Sequence, residues 1–270
     1  MTRPARTAAA SVPRAPAPAP EEAASGSSAE RSLRLLALLA NDGRALTLAD
    51  LAARLSLPKG TVHRICTQLM AAGFLGRDVD ARAFSVGPAL RQLAFDTLNH
   101  GVVRGLRHEV LSELVREVGE TCNFTTLDGA QVLYLDRVEA QWPLRLTLDV
   151  GSHVPLHCTA SGKLFLAQMP REERDAMLAK LTLSQMTVNT ITDERKLRAE
   201  CDRIAKVGYS CDREEFIAGL VAVAVPVLDV QGQVRAAIAV HAPTARMSME
   251  DAVKRAGALK AAARRMTALL

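Results

Sequence analysis

Aromatic residues are scarce in this sequence: Phe, Trp and Tyr together make up 3% of its 270 residues, with a single Trp. A core with so few rings must be aliphatic, and a surface that stacks nucleic-acid bases on aromatic side chains is not expected. The hydrophobic content of 49% is nevertheless enough for a full core. The length is typical of one or two domains.

Paired cysteines, long apolar runs and a signal peptide are also missing. The five cysteines show no CxxC spacing, and such an odd, scattered set indicates reduced thiols in a cytosolic protein. The apolar runs Gln131–Asp136 and Leu220–Val227 are too short to cross a bilayer. The N-terminus lacks the apolar segment of a signal peptide. We therefore expect a cytoplasmic protein that does not enter a membrane.

Negative charge is scarce in one early segment. Residues 31–77 carry seven basic and two acidic side chains, a net charge of +5 that equals the formal charge of the whole chain. The rest of the sequence is balanced. A positive excess confined to one segment predicts a polyanionic partner for that segment.

The chain begins with a segment that cannot bury a core. Residues 1–29 are rich in Ala, Pro and Ser, and we expect them to form a disordered tail. Residues 30–87 then have the order helix, helix, turn, helix, hairpin. Thr47 and Asp50 form a capping-box pattern at the second helix, and Pro58 suits the first turn of the third. This order predicts a winged helix-turn-helix.

The remaining sequence alternates helical and extended patterns. Residues 88–104 predict a linker helix, and residues 105–270 predict an α/β domain. Its expected strands and helices, in chain order, are a helix at 106–118, strands at 121–127, 132–137 and 144–148, helices at 160–168, 171–181 and 193–207, a hairpin of 221–228 with 234–241, and a C-terminal helix from 249.

The third helix is the one that a helix-turn-helix places in the major groove. Helical spacing points Val62, Ile65 and Leu69 inward, so the opposite side faces out. Arg64 and Gln68 are long enough to reach base edges, and the free N–H groups of the helix start suit a phosphate. A solvated helix face is the alternative. The candidate DNA-binding residues are Lys59, Gly60, Thr61, His63, Arg64, Thr67 and Gln68 on the helix, with Arg77 and Arg82 on the wing.

Other chemistry is weakly supported. "CTASGKL" lacks the glycine and the Ser or Thr that a phosphate-binding loop needs around Gly-Lys. His153, His157 and Cys158 have no further Cys or His pair at metal-ligand spacing. Cys158 beside His157 is better explained as a buried thiol than as a nucleophile. We expect no catalytic residues, no metal and no cofactor.

Both halves of the chain resemble one family. "SLRLLALLANDGRALTLADLAARLSLPKGTVHRICTQLMAAGFLGRD" and "FSVGPALRQLA" resemble the DNA-binding half of the IclR family of bacterial transcriptional regulators. "GSHVPLHCTASGKLFLAQMP" and "GYSCDREEFIAGLVAVAVPVLDVQGQVRAAIAVHAP" resemble its second half. The resemblance implies a mixed α+β and α/β fold: a winged helix-turn-helix, a connecting helix and a GAF-like effector-binding domain. It also implies a repressor or activator that is a homodimer or homotetramer and binds an inverted-repeat operator.

The same resemblance places an effector pocket. At the positions of Ala160, Asp212, Ala222, Ala239 and His241, glyoxylate- and pyruvate-responsive members carry Gly, Asp, Cys, Ser and Ser. Only the Asp is retained, which predicts a larger, partly apolar organic acid, such as an aromatic acid, with Asp212 and His241 at the rim. The turn Thr159–Gly162, with Ser161, offers N–H groups for the acid's carboxylate.

Alternatives remain open for several pocket residues. Arg145 can pair with a carboxylate, but strand alternation makes a solvent or interface position at least as good. Asp212 can be a solvated loop residue and His241 a surface histidine. For the whole protein, the rivals are a metabolic enzyme with a winged-helix docking module and a ligand-free architectural DNA-binding protein.

Overall fold

The computed structural model describes residues 27–42, 44–78, 82–98, 101–143 and 148–270. The chain divides into two compact units, one ending at Ala94 and the other beginning at Phe95. Within the described ranges, no helix is both long and apolar enough to span a membrane.

The first unit is the predicted winged helix-turn-helix. Its elements are α1 (Ser28–Asp42), β1 (Leu46–Thr47), α2 (Leu48–Leu55), α3 (Lys59–Ala71), β2 (Leu75–Arg77), β3 (Ala83–Val86) and the start of α4 (Pro88–Leu98). The three strands form an antiparallel sheet in the order β1-β3-β2. Helix α1 begins at Ser28, two residues before the start expected from the sequence.

Local signals define the ends of α2, and a small aliphatic core holds the helices together. The Thr47 hydroxyl accepts a hydrogen bond from the Asp50 N–H, and the Asp50 carboxylate accepts one from the Thr47 N–H, which completes the predicted capping box. Ser56 ends α2 in the left-handed conformation. The core includes Leu35, Leu51 and Ile65, each at most 1% exposed.

The second unit is built on one six-stranded antiparallel sheet in the order β6-β5-β4-β9-β8-β7. Its elements are α5 (Gly101–Val118), β4 (Thr121–Asp128), β5 (Gln131–Val138), β6 (His153–Pro155), α6 (Ala160–Gln168), α7 (Arg171–Leu178), α8 (Glu194–Val207), β7 (Ser210–Arg213), β8 (Leu220–Leu228), β9 (Val234–Pro243), α9 (Met249–Lys254) and α10 (Ala256–Met266). One face of the sheet packs against α5 and α10, and the other packs against α6.

Most elements expected in this unit are present, with several differences. Helix α5 begins at Gly101 rather than at residue 106, and the expected C-terminal helix is divided into α9 and α10. Helix α7 ends at Leu178 rather than Leu181. The short strands β6 and β7 were not expected from the sequence, because three or four residues are too few for an alternating pattern. Of the strand expected at 144–148, only Leu148 lies within the described residues, and it is not in a strand.

Candidate functional site

The outer side of α3 has the composition expected of a DNA-reading helix. Val62, Ile65 and Cys66 are buried against the first unit's core, whereas Leu69 is only half-buried. Thr61 is half-buried, and the Thr67 hydroxyl donates to the His63 carbonyl within the helix. The exposed residues are the six others proposed from the sequence: Lys59, Gly60, His63, Arg64, Thr67 and Gln68.

The start of α3 is open to a close approach. Pro58 occupies the N-cap position without a side-chain hydrogen bond. A Cβ atom added at Gly60 would meet nothing within 4 Å. The first N–H groups of the helix therefore lie beside a position with no side chain, which is the arrangement that admits a phosphate.

The two wing arginines lie on either side of the hairpin tip. Arg77 ends β2 and its guanidinium lies 4.3 Å from the centre of the Phe84 ring. The Arg82 side chain is exposed, while its N–H donates to the Asp78 carboxylate at 3.1 Å. Asp78 thereby holds the residues at the start of β3 close to the end of β2, where Arg77 and Arg82 lie.

A second candidate site lies in the second unit, between the start of α6 and one face of the sheet. Strand register explains the grouping, because Asp212 pairs with Ala222, and Ala222 pairs with His241 on the next strand. The pocket brings together six of the eight predicted effector-binding residues. Its lining consists of Asn123, Tyr134, Leu148, Val154, Thr159, Ala160, Ser161, Asp212, Phe216, Leu220, Ala222, Ala239 and His241.

The cavity is smaller than the sequence suggested. Its volume is about 30 Å³, enough for one or two water molecules. A benzene ring in a dry protein interior occupies a cavity of about 150 Å³. The alanines at 160, 222 and 239 do leave their side-chain space empty, but Tyr134, Leu148 and Phe216 also line the pocket and reduce it.

His241 is buried in the pocket wall, which excludes the surface position considered above. Only 6% of the residue is exposed. Its Nδ1 lies 2.9 Å from the Asn123 side-chain nitrogen, and its Nε2 has no hydrogen-bond partner among the described residues. Burial, with a smaller contribution from Arg137, lowers the pKa of His241 to about 3, so the ring is neutral at pH 7.

Asp212 is also buried, at 2% exposure, and it lies on strand β7 rather than in a solvated loop. Its Oδ1 accepts a 2.7 Å hydrogen bond from the Glu215 N–H. Burial raises the pKa of Asp212 to about 7, and the negative charge of Glu215 adds to the rise. This carboxyl group can therefore change its protonation state near neutral pH.

The start of α6 offers two N–H groups to the same cavity. Thr159 caps the helix, and its hydroxyl accepts the Gly162 N–H at 3.1 Å, so that donor is already used. The N–H groups of Ala160 and Ser161 have no acceptor within the described parts of the chain. Gly162 does not line the cavity; a Cβ atom there would lie 2.2 Å from the Leu156 carbonyl oxygen. Its absent side chain lets α6 start close to the strand segment before it.

A buried ion pair beside the pocket was not predicted from the sequence. Lys163 is fully buried on α6, and its ammonium group pairs with the Glu215 carboxylate and lies 3.9 Å from Glu200. Because Glu215 also donates its N–H to Asp212, the pair ties α6 to the segment that supports Asp212. The only available signal was Lys163 at an otherwise apolar position of "TASGKLFLA".

Arg145, the remaining candidate for effector binding, lies outside the described residues.

The three residues weighed as metal ligands have other roles. His153 pairs with the Asp128 carboxylate at 2.9 Å, His157 contacts the Ser184 carbonyl at 2.9 Å, and burial raises the pKa of the Cys158 thiol to about 12. No group of three or more His, Cys, Asp or Glu residues in the described ranges is arranged to hold a metal ion.

Comparison with known protein families assigns both units to one family. The IclR helix-turn-helix domain matches residues 28–79, and the C-terminal domain of the bacterial transcriptional regulator IclR matches residues 95–268. The second match alone covers more than half of the chain.

Individual relatives give the same result. The chain is 42% identical over 227 residues to the "Probable transcriptional regulator SauR" of Cupriavidus necator, covering 84% of this chain and 90% of that protein. It is 34% identical over 231 residues to the HTH-type transcriptional regulator BhcR of Paracoccus denitrificans, covering 83% and 82% of the two chains. These relatives are regulators rather than enzymes.

Solved structures agree with the sequence comparisons. The crystal structure of Thermotoga maritima IclR has a TM-score of 0.60 at 26% identity and covers 89% of this chain and 97% of that one. A double mutant of the inducer-binding domain of the PobR transcription factor from Acinetobacter, in complex with 3-hydroxybenzoic acid, has a TM-score of 0.58 at 26% identity. It covers 63% of this chain and 100% of its own.

Proposed function

The chain belongs to the IclR family of bacterial transcriptional regulators, and from this premise we propose that it binds an inverted-repeat operator in the cytoplasm as a homodimer or homotetramer. A small organic acid, held in the pocket at the start of α6, controls that binding. In this proposal the second unit is a GAF-like effector-binding domain.

The observation that carries the DNA proposal is the exposed side of α3. Arg64 and Gln68 extend from this side, and Lys59 and the open helix start lie at its N-terminal end. This order suits a helix that reads base edges with its long side chains while its start and Lys59 hold a phosphate. Arg77 and Arg82 on the wing are proposed to contact the backbone.

An inverted repeat requires two copies of the first unit, and an apolar groove on this unit supports their pairing. The groove has a volume of about 730 Å³, and Leu33 and Leu93 beside it are 66% and 53% exposed. An exposed apolar surface of this kind suits a self-complementary interface with a second copy of the chain. Its lining includes Leu33, Leu36, Ala37, Leu69, Phe74, Val86, Leu90 and Leu93.

The observation that carries the effector proposal is the set of unused hydrogen-bond donors in the second pocket. The N–H groups of Ala160 and Ser161 and one nitrogen of His241 are buried, line one cavity and lack partners among the described residues. An acid's oxygen atoms would satisfy them. Because the cavity holds only one or two water molecules, its walls must separate for any acid, less for a short-chain acid than for an aromatic one.

Operator binding tests the DNA proposal. Fluorescence anisotropy with the inverted repeat should give an affinity that falls steeply as salt rises. If Arg64 reads a base, Arg64→Ala should cost about 1–3 kcal/mol and relax one position of the site, whereas Lys59→Ala should weaken all sequences alike. Arg171→Ala, at an exposed position on α7, is the matched control. Wild-type binding by both α3 variants would refute the assignment.

A calorimetric screen on the full chain tests the effector proposal. Glyoxylate, pyruvate and a series of aromatic acids that includes 3-hydroxybenzoic acid should separate short from large ligands. A bound acid should be lost in His241→Ala and in Asp212→Ala. If either variant keeps wild-type affinity for the acid, the ligand binds elsewhere.

A further inference from the structure

The Nε2 of His241, which has no partner in the part of the structure that is described, lies at the end of a series of hydrogen-bonded buried polar groups. Arg137 places one guanidinium nitrogen 3.2 Å from the Asn123 side-chain oxygen, and the Asn123 side-chain nitrogen lies 2.9 Å from His241 Nδ1. Another nitrogen of Arg137 donates to Glu139 at 3.2 Å. Asn123 is 1% exposed and Arg137 is 9% exposed, so water does not compete freely for these groups.

The chemistry of Arg137 determines which groups donate and which accept in this series of hydrogen bonds. A guanidinium has only donors, so the amide oxygen of Asn123 must face it, because the flipped amide would set donor against donor. The amide nitrogen of Asn123 then faces His241 and donates to Nδ1. A neutral imidazole that accepts at Nδ1 carries its proton on Nε2. This nitrogen is the atom of His241 that has no partner within the described parts of the chain.

The alternative of a charged ring is disfavoured by its surroundings. Burial and the positive charges of Arg137 and Arg246 all oppose a second proton on His241. The imidazole therefore offers one N–H donor to the cavity. Ala160 and Ser161 line the same cavity, and their N–H groups have no acceptor among the described residues, so these groups can act together with the His241 donor.

We infer that Arg137 and Asn123 are positioning residues that determine ligand specificity, because they hold His241 as an Nε2–H donor. The ligand atom at this point is a hydrogen-bond acceptor, namely an oxygen of a short carboxylic or keto acid. At this point a group that can only donate, such as an ammonium, is disfavoured because it would face the Nε2–H donor. This inference rests on the proposed function of the pocket as an acid-binding site.

One nearly isosteric substitution should convert the His241 Nε2 from a donor into an acceptor. In Asn123→Asp the new carboxylate still pairs with Arg137, but it can only accept from His241. The proton then moves to Nδ1, and Nε2 becomes an acceptor facing the cavity. The matched control is Gln231→Glu, which makes the same amide-to-carboxylate change at the exposed tip between β8 and β9.

The first measurement is the tautomer of His241 in the ligand-free full chain by nitrogen-15 NMR at pH 8. The chain has six histidines, and the spectrum of His241→Gln identifies the signal. We expect a neutral Nε2–H ring in the wild type and in Gln231→Glu, and an Nδ1–H ring in Asn123→Asp. A wild-type ring protonated on Nδ1, or on both nitrogens, overturns the inference.

The second measurement is the affinity for glyoxylate and pyruvate by calorimetry at the same pH. We expect Asn123→Asp to lose at least about tenfold, equivalent to about 1.4 kcal/mol, and Gln231→Glu to match the wild type. If Asn123→Asp does not fold, Arg137→Met takes its place, because it frees the Asn123 amide to flip and should yield both tautomers with weaker binding. A switched tautomer with unchanged affinity overturns the specificity role.

The two proposals fail separately. If the wild type binds no acid at all, the effector proposal fails, while the tautomer measurement still decides whether His241 is a donor. If acids bind but the tautomer is wrong, the effector proposal stands and the inference falls.

Discussion

Successive side chains of each strand point to opposite faces of the six-stranded sheet, and the two faces carry different residues. On β8 and β9, the side facing α5 and α10 presents branched side chains such as Val223, Val225 and Ile238, all fully buried. The side facing α6 presents alanines such as Ala222 and Ala239, interrupted by His241. At these positions the first face is built of large branched side chains, whereas the second has small side chains with polar groups around a cavity.

This difference separates stability from recognition within a single sheet. A face of β-branched residues gives burial and fixed rotamers, and it tolerates no missing volume. A face of alanines contributes less apolar area, so buried polar groups such as Asn123, Arg137 and Asp212 can approach one another there. The pocket therefore lies on the side of the sheet where β8 and β9 present alanines.

The largest expected effect is on the branched face. Ile238→Ala should lower the free energy of unfolding by about 2–5 kcal/mol, because it removes buried methyl groups and leaves a cavity. Urea unfolding of the full chain, followed by the fluorescence of the single Trp142, measures it. Val188→Ala, at a position 90% exposed, is the control and should stay within about 0.5 kcal/mol. A loss below 1 kcal/mol at Ile238 would contradict the idea that this face carries the stability.

The fold of this sheet was accessible from the sequence because its signals are local. The alternation in "LVAVAVPVL" predicts a strand, and Asp193 and Gly208 mark the ends of α8, as the structure confirms. The pocket was accessible only in part. Its residues could be named from family resemblance, but its small volume depends on Phe216 and Leu148, which no local pattern places there.

The contact between Asn123 and His241 was beyond sequence reasoning for the same reason. The two residues are separated by 118 positions, and they meet because β4 pairs with β9. The burial of Asp212 likewise depends on β7, a four-residue strand with polar residues that shows no alternating hydrophobic pattern.

The next largest effect concerns the helix start on the alanine face. Gly162→Ala should lower the free energy of unfolding by about 1–3 kcal/mol, because the added Cβ atom meets the Leu156 backbone and α6 must shift. Acid binding should weaken with it, since the Ala160 and Ser161 N–H groups move away from the cavity. Thermal and urea unfolding, with calorimetry of pyruvate, test both parts.

The first unit supplies the matched control. Gly60→Ala is the same substitution near the start of α3, where the new Cβ atom meets nothing within 4 Å. It should leave stability unchanged or raise it by up to about 1 kcal/mol, while operator binding weakens because a phosphate can no longer approach as closely. Equal changes in stability in the two variants would show that the Leu156 contact does not decide the result.

A smaller effect is expected in the pH dependence of stability. The pKa of Asp212 rises from 3.8 to about 7, so the folded chain holds a proton there that the unfolded chain loses, and stability falls as pH rises through this window. The pKa of His241 falls from 6.5 to about 3, so the unfolded chain binds the extra proton and stability rises with pH. Between pH 3.8 and 6.5 the two slopes oppose each other.

Single variants should separate the contributions of Asp212 and His241 to the pH dependence of stability. Asp212→Asn should make stability rise more steeply with pH than in the wild type, and His241→Gln should make it fall, each by at most about 1.4 kcal/mol per pH unit. Urea unfolding at several pH values measures the slopes. The double variant should return to the shallow wild-type profile. Parallel profiles for the wild type and both single variants would mean that neither buried group titrates as described.

The smallest change in structure, one added oxygen atom, compares the two faces directly. Ala242→Ser, on the branched face and fully buried, should cost about 1–3 kcal/mol, because its hydroxyl finds no room and no water. Ala239→Ser, on the pocket face, should cost less than about 1 kcal/mol, because the cavity beside it has space and the Nε2–H of His241 offers a donor. Urea unfolding measures the pair under the same conditions.

The Ala239→Ser variant also tests what the alanine at this position does. Because the family resemblance gives a serine at this position in members that respond to glyoxylate and pyruvate, the affinity for short acids should be kept or rise by a few fold. Equal costs for the two serines would mean that the pocket face is packed as tightly as the branched one. In that case the cavity at the start of α6 would be a minor packing gap, and the effector site would have to be sought elsewhere in the second unit.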